Sequence, residues 1–282
     1  EIYMGDWSSD VCSSDLVLFV RERDPARETW DGRRAGPTGA RRDYGADDAF
    51  PIGDIDEILP GLLEKRTAVY YAMGVHQDFD QRVVGWVNGL RSLQARNGRQ
   101  SPQEFVALDH VLHDMRLYKS RSELDLMREA ARIAAAAHVR AMRFARPGRN
   151  EFEVMAELLH EFRRHNADTS YPPIVGGGAN ACILHYRDND QALKDGDLLL
   201  VDAGCECDCY ASDITRTFPV NGRFTPAQRA IYNIVLEANL AAIAKVRPGN
   251  HWNDPHDAAV HTITAGPIWR SEERRVGKEC RS

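Results

Sequence analysis

An apolar run, Leu198–Val201, closes on an acid, Asp202, and a second acid, Asp213, follows eleven residues later. The segment from Leu198 to Phe224 reads LLLVDAGCECDCYASDITRTFPVNGRF. Leu198–Ala203 predicts a buried strand fed by the turn Lys194-Asp195-Gly196-Asp197. Gly204–Cys209 makes the return, and Tyr210–Val220 is the second strand of a hairpin, with Asp213 inside it. An acid that closes an apolar strand is costly to bury without a partner. In a hairpin this spacing can set both carboxylates on one face. Two anions so placed repel strongly, so a proton or cations must neutralise them. Hard divalent ions prefer carboxylate oxygen. The alternative is a pair of hydrogen-bonded strand acids that bind nothing.

The rest of the chain bounds this reading. The formal net charge is −6 for 282 residues. The codons of Asp6–Leu16 and Arg270–Ser282, back-translated, resemble the ends of sequencing-library adapters. We expect 1–16 and 270–282 to be adapter-derived, and such segments are set aside in reading a fold. Removing the four acids of 1–16 and the basic excess of two in 270–282 leaves −4 over 17–269. An acidic balance argues against nucleic acid as the main partner. Four cysteines then remain: Cys182, Cys205, Cys207 and Cys209. Three of them alternate, which suits neither a disulfide framework nor a CxxC zinc site. They read as turn residues, with a soft-metal site as the alternative. A reducing, cytoplasmic compartment is expected. No apolar run approaches a membrane span, so no membrane partner is expected.

Two domains are expected, residues 17–115 and 116–269. In the first, Val17–Val20 and Ala68–Met73 read as strands, and Ile55–Leu63 and Asp78–Ala95 as helices. Asp31-Gly32 reads as a turn and Gly36-Pro37 as a break in a polar stretch, and Phe105–Met115 as an apolar crossing to the second domain. This alternation predicts a small α/β domain without a catalytic cluster. In the second, Ser120 and Glu123 stand in capping-box spacing ahead of a helix that stops at Pro147-Gly148. Its apolar stripe is read as Leu124, Met127, Ala131, Ala134, Ala135 and His138, with alanines that allow close packing on a sheet. His138 reads as a helix-face residue and not a ligand. Asn150 and Glu153 cap the next helix, with Phe152, Met155, Leu158, Leu159 and Phe162 inward. Glu157, Glu161, Arg163 and Arg164 form its solvated face. Gly176-Gly177-Gly178 is too short for a phosphate loop and reads as a turn between two strands. The second of these is Ala181–Tyr186, with His185 near its end. By position alone His185 is a satisfied core histidine, or else a side chain projecting into a cleft. Thr225-Pro226-Ala227-Gln228 opens a third helix with Ile231, Ile234, Val235 and Leu240 as core contacts. Asn253-Asp254-Pro255 opens a fourth, carrying Ala258, Val260 and Ile263.

Three stretches together resemble a known family: LYKSRSELDLMREAARIAAAAHVRAM, NACILHY, and VDAGCECDCYASDITRTFPVNGRFTPAQRAIYNIVLEA. They are similar to the bacterial Xaa-Pro aminopeptidases (aminopeptidase P) of the pita-bread metallopeptidases. The likeness covers nearly all of 17–269 and is strongest over 116–250. The resemblance implies an α/β (α+β) architecture: a truncated N-terminal α/β domain followed by an incomplete pita-bread, creatinase/aminopeptidase-like, catalytic domain. It implies a two-manganese (Mn2+) centre held by two Asp, one His and two Glu. Asp202 and Asp213 match the two aspartates, with Asp213 bridging both ions, and His185 matches a substrate-pocket histidine near the scissile bond. The ligand histidine and both ligand glutamates of the family lie downstream of the helix that starts near Pro255. His251, His256 and His261 do not take their places.

The expected activity is release of the N-terminal residue ahead of a penultimate proline, through a hydroxide shared by the two metals. The expected partners are peptides with proline in second position, and a second copy of the full-length parent in a homo-oligomer. This 282-residue chain itself is expected to be inactive, with three ligands lacking. The alternatives are a prolidase acting on Xaa-Pro dipeptides, and a non-catalytic pita-bread protein that binds peptides or partners.

Overall fold

The computed structural model describes residues 15–97 and 100–265. The segments expected to be adapter-derived fall outside these residues, except for Asp15 and Leu16. The chain divides into two compact units at the junction of Lys119 and Ser120.

The first unit begins with β1 (Val17–Val20), followed by α1 (Pro25–Asp31), α2 (Gly36–Tyr44) and β2 (Asp48–Pro51). Next come α3 (Ile55–Leu63), β3 (Ala68–Tyr71), α4 (Gln77–Asn97), β4 (Glu104–Ala107) and α5 (Leu108–Leu117). β1 pairs with β2 and β3 with β4, both in parallel. Parallel neighbours need a crossover, and helices supply it in each case. Two predictions fail here. Gly36-Pro37 opens α2 instead of breaking the chain, because proline's missing N–H costs nothing in a first helical turn. Phe105–Met115 is not one apolar crossing: it splits into strand β4 and helix α5, and α5 buries no residue. The larger core of this unit joins α3 and α4 through Ile55, Leu59, Leu63, Val83, Trp86 and Val87. Asp56 accepts hydrogen bonds from the Trp86 indole N–H at 2.9 Å and from Arg82 Nε at 3.1 Å. The Arg82 guanidinium and the indole donor hold the Asp56 carboxyl below its ordinary range.

The second unit opens with α6 (Arg121–Phe144) and α7 (Glu151–Arg164). Ser120 and Glu123 form the expected capping box on α6, and the Glu153 carboxylate accepts from the Asn150 N–H at 2.8 Å. The face α6 buries is Ala130, Ile133, Ala134, Ala137, His138 and Ala141. Of the predicted stripe only Ala134 and His138 are inside, and Leu124 and Met127 are exposed. The expected close packing through alanines is present, but on a neighbouring face of the helix that carries Ala130, Ala137 and Ala141 together with Ile133. His138 is therefore a core residue, with Nδ1 2.9 Å from the Ala134 carbonyl. On α7, Leu158 and Phe162 are buried as expected, Val154 joins them, and Phe152 is exposed. The charged face of α7 is not simply solvated. Glu161 is buried and lies 3.5 Å from Arg164, 3.4 Å from His165 and 3.9 Å from Arg140, while Arg140 also pairs with Glu157. A buried carboxylate requires such partners.

Six strands and two helices complete the described chain. They are β5 (Asp168–Thr169), β6 (Ile174–Gly177), β7 (Leu198–Ala203), β8 (Cys205–Cys207), β9 (Tyr210–Ala211), β10 (Ile214–Pro219) and the helix pair α8 (Pro226–Ile243) and α9 (Asp254–Ala265). One antiparallel sheet has the order β10-β7-β6, and a second has the order β5-β8-β9. Val175, Leu199 and Val201 of the first sheet share a core with the alanine face of α6 and with Leu158 and Phe162 of α7. The glycines read as a turn end strand β6, with Gly176 and Gly177 paired to Leu200 and Leu199. Ala181–Tyr186 is not a strand: residues 178–182 form a 3-10 turn, and a further turn follows. Most of the predicted core contacts of α8 and α9 fail: Ile231, Val235, Leu240, Val260 and Ile263 are exposed, Ile234 and Ala258 are half-buried, and only Ala238 of the pair is buried. The two helices pack on one another, and among the described residues no sheet covers their outer faces. No described helix is long and apolar enough to cross a membrane.

Candidate metal centre

Asp202 and Asp213 do not sit on a plain two-stranded hairpin. β7 and β10 pair with Ala203 opposite Ile214 and Asp202 opposite Thr215. Residues 204–213 leave that ladder, and β8 and β9 within them turn back through Asp208 and Cys209. Both turn residues have positive φ, 45° and 68°, the geometry of a two-residue type I′ hairpin. Asp213 therefore lies at the mouth of this excursion, immediately before β10.

The mouth is closed by a knot of three chain segments. The Ser212 N–H donates to the Cys205 carbonyl at 2.8 Å, and the Cys205 N–H donates to Ser212 Oγ at 3.0 Å. Ser170 joins them: its N–H donates to the Gly204 carbonyl at 3.1 Å and its hydroxyl to the Ser212 carbonyl at 2.8 Å. Only glycine fits at 204, because a Cβ there would stand 1.7 Å from the Ser212 carbonyl oxygen. The knot brings Tyr171, Asp202 and Asp213 to one place. The Tyr171 hydroxyl is 2.5 Å from Asp202 Oδ1 and 2.9 Å from Asp213 Oδ1.

One hydroxyl carries one proton, so it can donate fully to only one of the two carboxylates at a time. Burial pushes the Tyr171 hydroxyl far above the ordinary tyrosine range, and the hydrogen bonds to Asp202 and Asp213 and then their charges push it further. It stays a donor at any ordinary pH. Both acids use Oδ1 for this contact, and their Oδ2 atoms make no hydrogen bond among the described residues. Asp202 is half-buried and Asp213 exposed, so the pair is open to solvent on one side. Two adjacent carboxylates with free oxygens suit a hard divalent ion in kind. They supply part of a ligand set: no group of three or more His, Cys, Asp or Glu that could hold a metal occurs among the described residues.

His185 is not brought to the pair by any hydrogen bond among the described residues. It lies exposed in the turn that follows the 3-10 segment, so it is not a satisfied core histidine. The cysteines do not form a soft-metal site. Cys205 is buried, Cys207 half-buried, and Cys182 and Cys209 are exposed, all as free thiols. Burial and the adjacent Cys205 push the Cys207 thiol up to about 11, so it holds its proton at neutral pH. Tyr171 was not singled out by sequence reasoning. Its one signal was its place just before Pro172-Pro173, where the chain is forced to run extended.

Comparison with known proteins gives the family. Residues 125–278 match the model for metallopeptidase family M24, and residues 2–70 match that for the aminopeptidase P N-terminal domain. The chain is 45% identical over 261 residues to the Xaa-Pro aminopeptidase of Escherichia coli, covering 92% of this chain and 59% of that protein. To the Xaa-Pro aminopeptidase of Haemophilus influenzae it is 43% identical over 253 residues, covering 89% and 56%. Among solved structures, aminopeptidase PepP of Pseudomonas aeruginosa superposes with a TM-score of 0.84 at 61% identity, covering 90% of this chain and 58% of that one. A zinc-substituted Escherichia coli aminopeptidase P in complex with product superposes with a TM-score of 0.83 at 42% identity, covering 89% and 57%. The chain thus spans well under two thirds of the length of these relatives. The fold shared with them is the pita-bread fold of aminopeptidase P, preceded by its N-terminal domain. A family model matching more than half of the chain, together with these relatives, shows that it belongs to metallopeptidase family M24.

Proposed function

We propose that the protein containing this chain is an Xaa-Pro aminopeptidase, which releases the first residue of a peptide whose second residue is proline. The observation that carries this reading is the convergence of Asp202 and Asp213 on one tyrosine hydroxyl, in a chain of this family. Both aspartates would ligate divalent ions through their free Oδ2 atoms, with manganese as the metal. Such ions lower the pKa of a water and polarise the peptide carbonyl. Tyr171 holds Oδ1 of each acid and so fixes the direction in which the remaining oxygens point. His185 would line the pocket for the peptide. Its exposed imidazole, free of hydrogen bonds among the described residues, is available to a substrate.

Proline in second position has a fixed φ and no N–H, which gives a pocket a rigid shape to recognise. The test is a cleavage assay with the full-length protein and Mn2+, comparing an Xaa-Pro-Xaa tripeptide, an Xaa-Pro dipeptide and a tripeptide with alanine second. Release of the first residue from the proline tripeptide above all is expected, and should disappear with Asp213→Asn. Faster cleavage of the dipeptide would replace this reading with a dipeptidase. No cleavage of any of the three would remove it.

A further inference from the structure

The connection from β6 to β7, residues 178–197, carries His185 and is long for a segment with little regular structure of its own. Buried Asn189 ties its later part to the residues around the start of β6, accepting from the Val175 N–H at 2.9 Å and donating to the Pro173 carbonyl at 3.0 Å, and a second buried side chain ties the turn that carries His185. Glu151, the first residue of α7, is fully buried, and no basic side chain among the described residues pairs with it. Its Oε1 accepts from the Gly177 N–H at 2.7 Å and from the Asn180 side-chain amide at 3.1 Å. Its Oε2 accepts from the Tyr186 hydroxyl at 2.8 Å and from the Gln191 N–H at 3.0 Å. Four donors, together with the N-terminal end of α7, meet the buried charge.

These donors come from the end of β6, at 177, and from three points along the connection, at 180, 186 and 191. His185 lies between the second and third and is the neighbour of Tyr186. Gly177 belongs to β6, and β6 pairs directly with the strand that bears Asp202, with Ile174 opposite that residue. A Cβ at Gly177 would stand 3.4 Å from Glu151 Oε1 and 2.7 Å from Leu193 Cδ2, so the clamp draws on a backbone approach that glycine allows. One carboxylate thus ties the His185 turn to the sheet of the candidate metal centre.

We propose that Glu151 is a positioning residue for peptide cleavage, acting through His185 by holding residues 177–191 in register with the β6–β7 sheet. This inference rests on the reading of His185 as a peptide-pocket residue. Glu151→Gln keeps the shape but turns an amide N–H toward donors that need an acceptor. In the full-length, Mn2+-loaded protein, Glu151→Gln should lower kcat/KM for an Xaa-Pro-Xaa peptide by about 10- to 100-fold, the range for a misplaced active-site group. Mn2+ affinity, measured by titration calorimetry, should not change. In a His185→Ala background the same substitution should have almost no further effect. Tyr186→Phe removes one of the four donors and should give a smaller effect of the same kind, so the test stands even if Glu151→Gln folds poorly. Amide hydrogen exchange across 178–191 reads the clamp without any assay of activity, and should speed up in both variants. If the Glu151 and His185 effects multiply, or exchange across 178–191 is unchanged, the positioning role is overturned. If His185→Ala leaves kcat/KM at the wild-type value, the role assigned to His185 falls and takes the positioning role with it. Absence of cleavage by the wild type, with exchange behaving as expected, strikes the aminopeptidase reading and not the clamp.

Discussion

At the scale of single residues the site is an arrangement of one proton and two carboxylates. Tyr171 donates to Asp202 or to Asp213, and whichever it does not serve faces an oxygen lone pair. Tyr171→Phe removes the donor and leaves the acids facing each other across a gap. Hydrogen bonds to charged groups contribute about 1.5–3 kcal/mol, and partial solvent access reduces that here. We expect the metal-free protein to lose about 1–2 kcal/mol, read as a lower urea midpoint with an unchanged slope. In excess Mn2+ the loss should shrink, because a cation then neutralises both acids. The aspartates were legible in the sequence because an acid at the end of an apolar strand demands an explanation. The tyrosine was not, since its partners are 31 and 42 residues away and nothing local marks it.

At the scale of elements, the departure of α6 from expectation has a plain cause: short-range patterns do not register what an element packs against. The inward face of α6 is its alanine face, buried against β7 and α7. Ala137→Leu there would force a larger side chain into a closed core. Overpacking typically costs about 1–3 kcal/mol, so a drop of that size in unfolding free energy is expected, whereas the same change at exposed Ala131 should be nearly neutral. The β8–β9 turn shows the reverse case, a local preference that the chain does not satisfy well. Cys209 occupies a left-handed conformation, φ 68°, which glycine adopts at no steric cost. Cys209→Gly should therefore stabilise the protein by up to about 1 kcal/mol, after the added backbone entropy of glycine in the unfolded chain is counted. A lower melting temperature for this variant would contradict the type I′ assignment.

At the scale of the whole molecule, an ion held by the acid pair would couple to folding. A cation that binds only the assembled Asp202–Asp213 pair stabilises the fold by mass action, by about 2.7 kcal/mol at a concentration 100 times its Kd. For a unit of this size each kcal/mol raises Tm by about 2–4 °C. Adding Mn2+ should thus raise Tm by several degrees, a chelator should reverse the rise, and Asp213→Asn should abolish it. A Tm that ignores Mn2+ in the wild type would show that the pair holds no ion in this chain.

Much of the molecule could be read along the chain, because local chemistry governs it. Helix starts followed from capping residues, as at Ser120 and Thr225, and β7 followed from an unbroken apolar run. The acid pair followed from its spacing and from the motif around it. What required the folded chain was every relation set by contacts distant in sequence. The anchoring of Ser170 on Ser212, the meeting of Tyr171 with Asp202 and Asp213, and the bond from Gly177 to buried Glu151 all join segments 26 to 42 residues apart. Propensity and periodicity reach about one turn of helix or one strand. Beyond that reach, packing and the need to satisfy every buried donor and acceptor decide which residues meet.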